Sequence, residues 1–251
     1  MATAVALIAV ISLSSCGNSG PDARKSRSPQ TAGPVAEVRS LLEGIPQRGN
    51  TLGKPTARVT LQYFGDLECP FCREFTLGVL ASIIRRWVRP GTLKIEYRSL
   101  KTATHGLEIF KAQQFAALAA GRQNRMWDFI ELFYHEQGEE NSGYVTEDFL
   151  QSLAEQVPGL NLIAWTAARG DTALAGTLVG DARAAYEEGF HGTPSFLIGN
   201  TGDRLLRFKA PTITEAAPYD AAVEEVLKGC CRSRPIAKAA SASQWTYAAQ
   251  T

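Results

Sequence analysis

Hydrophobic positions along the chain follow two rhythms, a strand-like period of two and a helix-like period near four, and their succession sketches an architecture. Val35 to Glu43 sets Val38, Leu41 and Leu42 on one side of a short helix that Gly44 and Pro46 stop. Arg58 to Phe64 (RVTLQYF) is β-branched and aromatic, as a strand requires, and runs into Gly65-Asp66-Leu67-Glu68. Phe75, Val79, Ile83 and Trp87 then recur at intervals of four, which predicts a helix from near Cys69 to the terminator Pro90-Gly91. Thr92 to Ser99 alternates Leu93, Ile95 and Tyr97 as a second strand.

A long helical stretch follows, with Leu107, Phe110, Phe115 and Leu118, then Trp127, Ile130, Phe133 and Tyr134, as its inward positions. These aromatic residues at helical spacing are read as core and are assigned no ligand. Thr146 is expected to cap a helix whose first turn carries Glu147 and Asp148, and Thr172 to open one that ends near Gly189. The strand period returns in Ser195 to Ile198 and Leu205 to Phe208, a hairpin around Gly199 to Asp203. A last helix from near Pro218 turns Ala222, Val223, Val226 and Leu227 inward. The order β, α, β, helical insertion, β, β, α places the chain in the α/β class. There is no internal repeat.

The two ends follow neither rhythm. Residues 1–15 carry no charge, and Ala4 to Leu13 (AVALIAVISL) has the length of the apolar region of an export signal, too short to span a bilayer. It ends in Leu13-Ser14-Ser15-Cys16-Gly17, which resembles a bacterial lipobox, although the usual basic residues before the apolar run are missing. On that resemblance Cys16 is lipidated and becomes the mature N-terminus; the rival reading is an uncleaved apolar terminus. Residues 16–34 are rich in Gly, Ser, Pro and charge and read as a flexible tether. Residues 230–251 offer little to bury apart from Trp245 and Tyr247 and are expected to be a disordered tail. The folded body is thus 35–229, with the helical insertion at about 101–189.

Composition narrows the function classes. The chain has 251 residues, 45% hydrophobic and 20% charged, enough for a sizeable core. Its formal net charge of +1 gives no field to attract nucleic acid, and no apolar run reaches the roughly 18 residues of a spanning helix. Any membrane attachment is expected through the lipid alone.

Chemistry gathers at Cys69-Pro70-Phe71-Cys72, two thiols between a strand and the first turn of a helix. Unsatisfied N–H groups and the positive end of the helix dipole stabilise an anion there, so Cys69 is expected to be the accessible thiolate and Cys72, one turn further in, the shielded resolving thiol. Pro70 has no N–H to lose at a helix start. The alternatives are an inert disulfide, half of a zinc site, or Cu(I) delivery. Zinc wants a second pair at knuckle spacing, and Cys230-Cys231 are adjacent; copper finds only 2 Met and 3 His for further ligands. No metal and no cofactor is expected. With Cys16 set aside, Cys230 and Cys231 are read as bystander thiols rather than as a strained disulfide between neighbours.

The second signal is Gly189-Phe190-His191-Gly192-Thr193-Pro194-Ser195-Phe196, entering the third strand. Together with Phe64-Gly65-Asp66-Leu67-Glu68-Cys69-Pro70-Phe71-Cys72 and the insertion, it resembles the thioredoxin superfamily, and within it the DsbA-like group with the BdbD-type disulfide oxidoreductases, from Gly53 to about Lys228. The resemblance implies a thioredoxin fold with a helical insertion between the second strand and the cis-proline strand. It also implies a cis Thr193-Pro194 bond facing Cys69 and Cys72, with Thr193 and Pro194 meeting a substrate strand. Many relatives carry a carboxylate six positions before the first cysteine that relays the resolving thiol's proton; here the position is Tyr63, with Glu68 or water as substitutes. Glu68, Pro70, Phe71 and His191 are the candidate tuning residues, although His191 is read first as a passive loop residue.

These features point to an extracytoplasmic thiol-disulfide oxidoreductase held at the bacterial membrane by lipidated Cys16. It is expected to oxidise extended, thiol-containing exported proteins and to be recharged by an unidentified membrane redox partner. Isomerisation or reduction at the same site is the near alternative. A peptide-binding holdase or a copper chaperone on the same fold are the distant ones.

Overall fold

The computed structural model describes residues 33–229. The export segment, Cys16, most of the tether, Cys230, Cys231 and the tail with Trp245 and Tyr247 lie outside the described residues.

Six strands form one sheet in the order β1-β2-β4-β3-β5-β6. At its centre β3 (Val59–Gly65) runs parallel to β4 (Leu93–Ser99) and antiparallel to β5 (Ser195–Asn200), which pairs antiparallel with β6 (Leu206–Phe208). β3 is apolar and buried along nearly its whole length because both of its faces are covered. β4 alternates as its sequence does, with Leu93, Ile95 and Tyr97 buried and Lys94, Glu96 and Arg98 on the other face. Side chains pair across that polar face: Gln62 donates to Glu96 at 2.9 Å, Lys94 pairs with Glu96 at 2.8 Å, and Arg98 pairs with Asp181 at 2.8 Å.

The expected elements are present, beginning with the short helix α1 (Pro34–Leu42), packed as expected through Val38, Leu41 and Leu42. The hairpin of β1 (Gln47–Arg48) and β2 (Thr51–Leu52) was not foreseen, since two-residue strands are too short to show a period. Gly49 at φ 60° makes its tight turn, a conformation that glycine adopts without a Cβ penalty.

From Pro70 to Val88 the chain is continuously helical: α2 (Pro70–Phe75), a π-helical segment (Thr76–Leu80), α3 (Ala81–Ile83) and a second π-helical segment (Ile84–Val88). Phe75, Val79 and Ile83 are buried as expected, while half-buried Trp87 donates to Asp220 at 2.5 Å. The insertion comprises α4 (Leu107–Gly121), α5 (Met126–His135), α6 (Glu147–Gln156), α7 (Leu162–Arg169) and α8 (Ala173–Glu187), and α9 (Ala217–Leu227) closes the domain. Thr146 caps α6 by accepting from the Phe149 amide. At α8 the side-chain cap comes from Asp171 instead of Thr172: Asp171 accepts from the Ala173 amide at 2.7 Å, and Thr172 already has helical dihedrals.

The inward face of α4 also differs from the expectation. Leu107 is 54% exposed and Phe115 and Leu118 are only half-buried, whereas Gln113, Gln114 and four alanines are fully buried. The two glutamines are buried because they have partners: Gln114 accepts from the Ser99 hydroxyl at 2.9 Å and Gln113 donates to Thr104 at 2.7 Å.

Candidate active site

Three chain segments reach one edge of the sheet. β3 and the parallel β4 end there, and β5 starts there, with Phe64 opposite Ser195. The turn after β3, the loop after β4 and the Thr193-Pro194 loop are therefore neighbours. Gly65 ends β3 because the Tyr63 and Tyr97 rings close over it; a Cβ would lie 2.8 Å from Tyr97 and 3.1 Å from Tyr63.

Asp66 organises the turn, a residue that sequence reasoning passed over. Its carboxylate is fully buried and accepts six hydrogen bonds. Oδ2 takes the amides of Thr102, Ala103 and Thr104 at 2.9, 2.9 and 3.0 Å. Oδ1 takes the Glu68 amide, the Thr104 hydroxyl at 2.5 Å and Gln113. One side chain thus ties the loop after β4 to the turn that delivers Cys69. An aspartate directly after a strand and three residues before the cysteine was the available signal.

Cys69 occupies the N-cap position of α2, with Pro70 in its first turn, and its carbonyl accepts the Arg73 amide at 3.1 Å. From the insertion, Gln137 donates to the carbonyls of Leu67 at 2.6 Å and Cys69 at 3.2 Å, and Arg73 donates to the Tyr134 carbonyl at 2.9 Å. Both cysteines are free thiols. The Thr193-Pro194 bond is cis, and the Cys69 thiol donates to the Thr193 carbonyl at 3.4 Å.

The two sulfurs differ electrostatically. The Cys72 thiol, with help from Thr193 and the backbone amides of Cys72 and Phe71, holds Cys69 below the ordinary thiol range despite burial. Burial pushes Cys72 well above that range, and charge on Cys69 adds to the push. This is the asymmetry expected at a helix start. The expectation of an accessible Cys69 is corrected, because it is 1% exposed: the Thr193-Pro194 loop lies over its sulfur.

Tyr63 lies beneath the pair. Its hydroxyl is 3.5 Å from the Cys72 carbonyl, 3.3 Å from the Thr76 hydroxyl and 3.3 Å from the Tyr134 hydroxyl, and Tyr134 donates onward to the Asp66 carbonyl at 3.2 Å. Glu68 is buried and accepts the Asn141 amide at 3.2 Å; burial raises its carboxyl. Pro70 is exposed, Phe71 is half-buried against the core, and His191 is exposed on its loop, outside the groups that act most strongly on Cys69. Beside Pro194 a cavity of about 260 Å³ is lined by Phe190, Phe196, Phe208, Ile213 and Arg207.

The family model described as Thioredoxin matches residues 47–204. Disulfide bond formation protein D of Bacillus subtilis is 30% identical over 109 residues, 41% of this chain and 46% of that one. The chain thus spans about half the length of the curated relatives it matches. Among solved structures, oxidised BdbD of Bacillus subtilis superposes with TM-score 0.61 at 19% identity, covering 74% of this chain and 98% of that one. Wolbachia pipientis alpha-DsbA1 superposes with TM-score 0.60 at 15% identity, covering 75% and 93%.

Proposed function

The chain belongs to the thioredoxin family, and from that premise we propose that it is an extracytoplasmic thiol-disulfide oxidoreductase working through Cys69 and Cys72. One observation carries the reading: a lowered thiol and a raised thiol, three residues apart at a helix start, lie against the Thr193-Pro194 loop.

The favoured direction is oxidation of exported proteins. A substrate thiolate attacks the Cys69 sulfur of the oxidised pair, the bond to Cys72 breaks, and Cys72 leaves with the electron pair. A second substrate thiolate attacks the substrate sulfur and releases Cys69. Cys69 leaves readily because its thiolate is stabilised, and stabilising the reduced form raises the potential of the couple. Thr193 and Pro194 are proposed to meet an extended substrate segment, with the neighbouring cavity, aromatic on one side and edged by Arg207 and Lys209, accepting a flanking side chain.

Residues 1–15 and Cys16 are proposed as export signal and lipid anchor, and a membrane redox partner as the group that reoxidises the pair. Among the described residues no helix is long and apolar enough to cross a membrane. The reduction potential of the Cys69/Cys72 couple is the test. A value near about −120 mV supports an oxidant, and one near roughly −270 mV moves the reading to a reductant.

A further inference from the structure

The cavity beside Pro194 carries charge of one sign only. Phe190, Phe196, Phe208 and Ile213 give it apolar surface, Arg207 and Lys209 add two cations, and none of its lining residues is acidic. Arg207 and Lys209 are both exposed, with Phe208 buried between them, on β6 and its exit at the outer edge of the sheet. The Arg207 guanidinium lies over the Phe190 ring, 5.2 Å from its centroid, and that ring packs edge-on against Phe64 at 5.1 Å. Stacking occupies a face of the guanidinium and leaves its N–H groups, which lie in the plane, for an acceptor. Among the described residues neither Arg207 nor Lys209 pairs with a carboxylate. Glu188, two residues before Phe190, meets Arg204 at 3.8 Å; Asp203 accepts the Asn200 amide at 3.4 Å; and Glu215 does not line the cavity. Pro194, which does, follows the Thr193 whose carbonyl meets the Cys69 thiol at 3.4 Å.

We infer that Arg207 and Lys209 make the enzyme selective for client segments that carry an aspartate or glutamate within a few residues of the reacting cysteine. This selection rests on the exchange reading above and names its clients by charge. A segment whose sulfur reaches Cys69 passes Pro194 and the cavity beside it, where the planar guanidinium of Arg207 receives a carboxylate on two N–H groups and Lys209 adds a point charge. The aromatic surface next to them takes the apolar part of the same or a neighbouring side chain. The preference is local, because a formal net charge of +1 gives the whole chain no field that draws in acidic peptides. It acts on docking and leaves the sulfur chemistry as it is.

The test is the rate at which the oxidised full-length protein oxidises capped, otherwise uncharged two-cysteine peptides, with Glu, Gln or Lys placed in turn at each of about four positions on either side of the first cysteine. At one or more positions Glu is expected to exceed Gln in kcat/KM by about fivefold, the upper end of what a partly exposed ion pair gives, and Lys to fall below both. Arg207→Gln combined with Lys209→Gln should bring the Glu to Gln ratio close to one; comparing the two proteins on the same peptides cancels any effect of Glu on the peptide's own thiols. Arg204→Gln, whose guanidinium already meets Glu188, should leave the ratio as in the wild type. Equal rates for Glu and Gln at every position overturn the inference, and so does an equal loss of preference in Arg204→Gln, which would make the effect a diffuse field of the hairpin. Salt gives a check on the wild type alone: at about 1 M, where charges are screened over about 3 Å, the advantage of Glu should shrink, and an undiminished advantage refutes an ion pair at this exposed edge. Exchange of the oxidised wild type with dithiothreitol, which is uncharged, reports separately on the oxidoreductase reading: its absence refutes that reading, whereas its presence without any preference for Glu refutes the charge selection alone.

Discussion

Thr102 and Thr193 share a hydrogen bond of 2.6 Å between their hydroxyls, 91 residues apart in the chain. It fastens the loop after β4 to the loop that covers Cys69, and the Thr102 amide is itself held by Asp66. Cover and sulfur are therefore linked through one aspartate.

Thr102→Val removes that bond and keeps the shape of the side chain. Losing a neutral hydrogen bond of about 1 kcal/mol favours loop opening by a factor of about five. Alkylation of Cys69, which is buried under this loop, is expected to speed up by that factor with little change in global stability. Equal rates in variant and wild type would mean that the loop opens independently of Thr102.

The ionisation of the pair gives a pH test. With Cys16, Cys230 and Cys231 changed to Ser, alkylation of the reduced protein should show Cys69 reaching half its limiting rate below about 8.5, the ordinary thiol value, and Cys72 well above it. Thr193→Val takes away one hydroxyl that stabilises the Cys69 thiolate and should move its midpoint up. Midpoints in the reverse order would remove the leaving-group argument.

Asp66→Asn puts an NH2 group where two sets of donors converge, so that either the three amides of residues 102–104 or the Oδ1 donors lose their acceptor. The expected cost is about 3 kcal/mol or more, since hydrogen bonds to a buried charge are worth about 1.5–3 kcal/mol each. Urea unfolding measures it as a drop in midpoint at unchanged slope. A midpoint within error of the wild type would show that Asp66 does not organise the turn.

The redox pair, the Thr193-Pro194 loop and the long elements other than α7 were legible in the sequence, because strands such as Arg58 to Phe64 and helices such as the one starting near Cys69 carry strong apolar periods. Asp66, Gln113 and Gln114 were not. Their burial follows from hydrogen bonds to loops distant in sequence, and a polar residue in a pattern reads as surface until its partner is located. The exposure of Cys69 was misjudged for a related reason: its cover comes from Thr193, 124 residues later. Tyr63 was visible as a departure from the family, but the hydroxyls of Thr76 and Tyr134 around it were not.

The proposed anchor rests on Leu13-Ser14-Ser15-Cys16-Gly17. Metabolic labelling with a lipid precursor is expected to mark the wild type in a bacterial host and to miss Cys16→Ser. Equal labelling of both proteins would locate the lipid elsewhere, and export without any label would refute the anchor.

Glu131 sets a stability prediction apart from the redox site. It is fully buried on α5, its Oε1 has no hydrogen-bond partner, and it lines a cavity of about 80 Å³ with Glu37, Arg85 and His135. Burial, with charge on Asp128 adding and Arg85 opposing, pushes its carboxyl up from the ordinary 4.5 to about 8. The folded protein therefore keeps a proton that the unfolded chain releases at much lower pH. The stability carried by the protonated group is complete below about 4.5, falls as pH rises towards about 8, and changes no further beyond that. Glu131→Gln is neutral throughout, so it should match the wild type at the acid end and exceed it above about 8 by an amount on the order of a few kcal/mol. Other carboxyls titrate in both proteins, which makes the difference between the two curves the quantity to follow. Parallel curves across this range would mean that Glu131 finds a partner or water and ionises in the ordinary range.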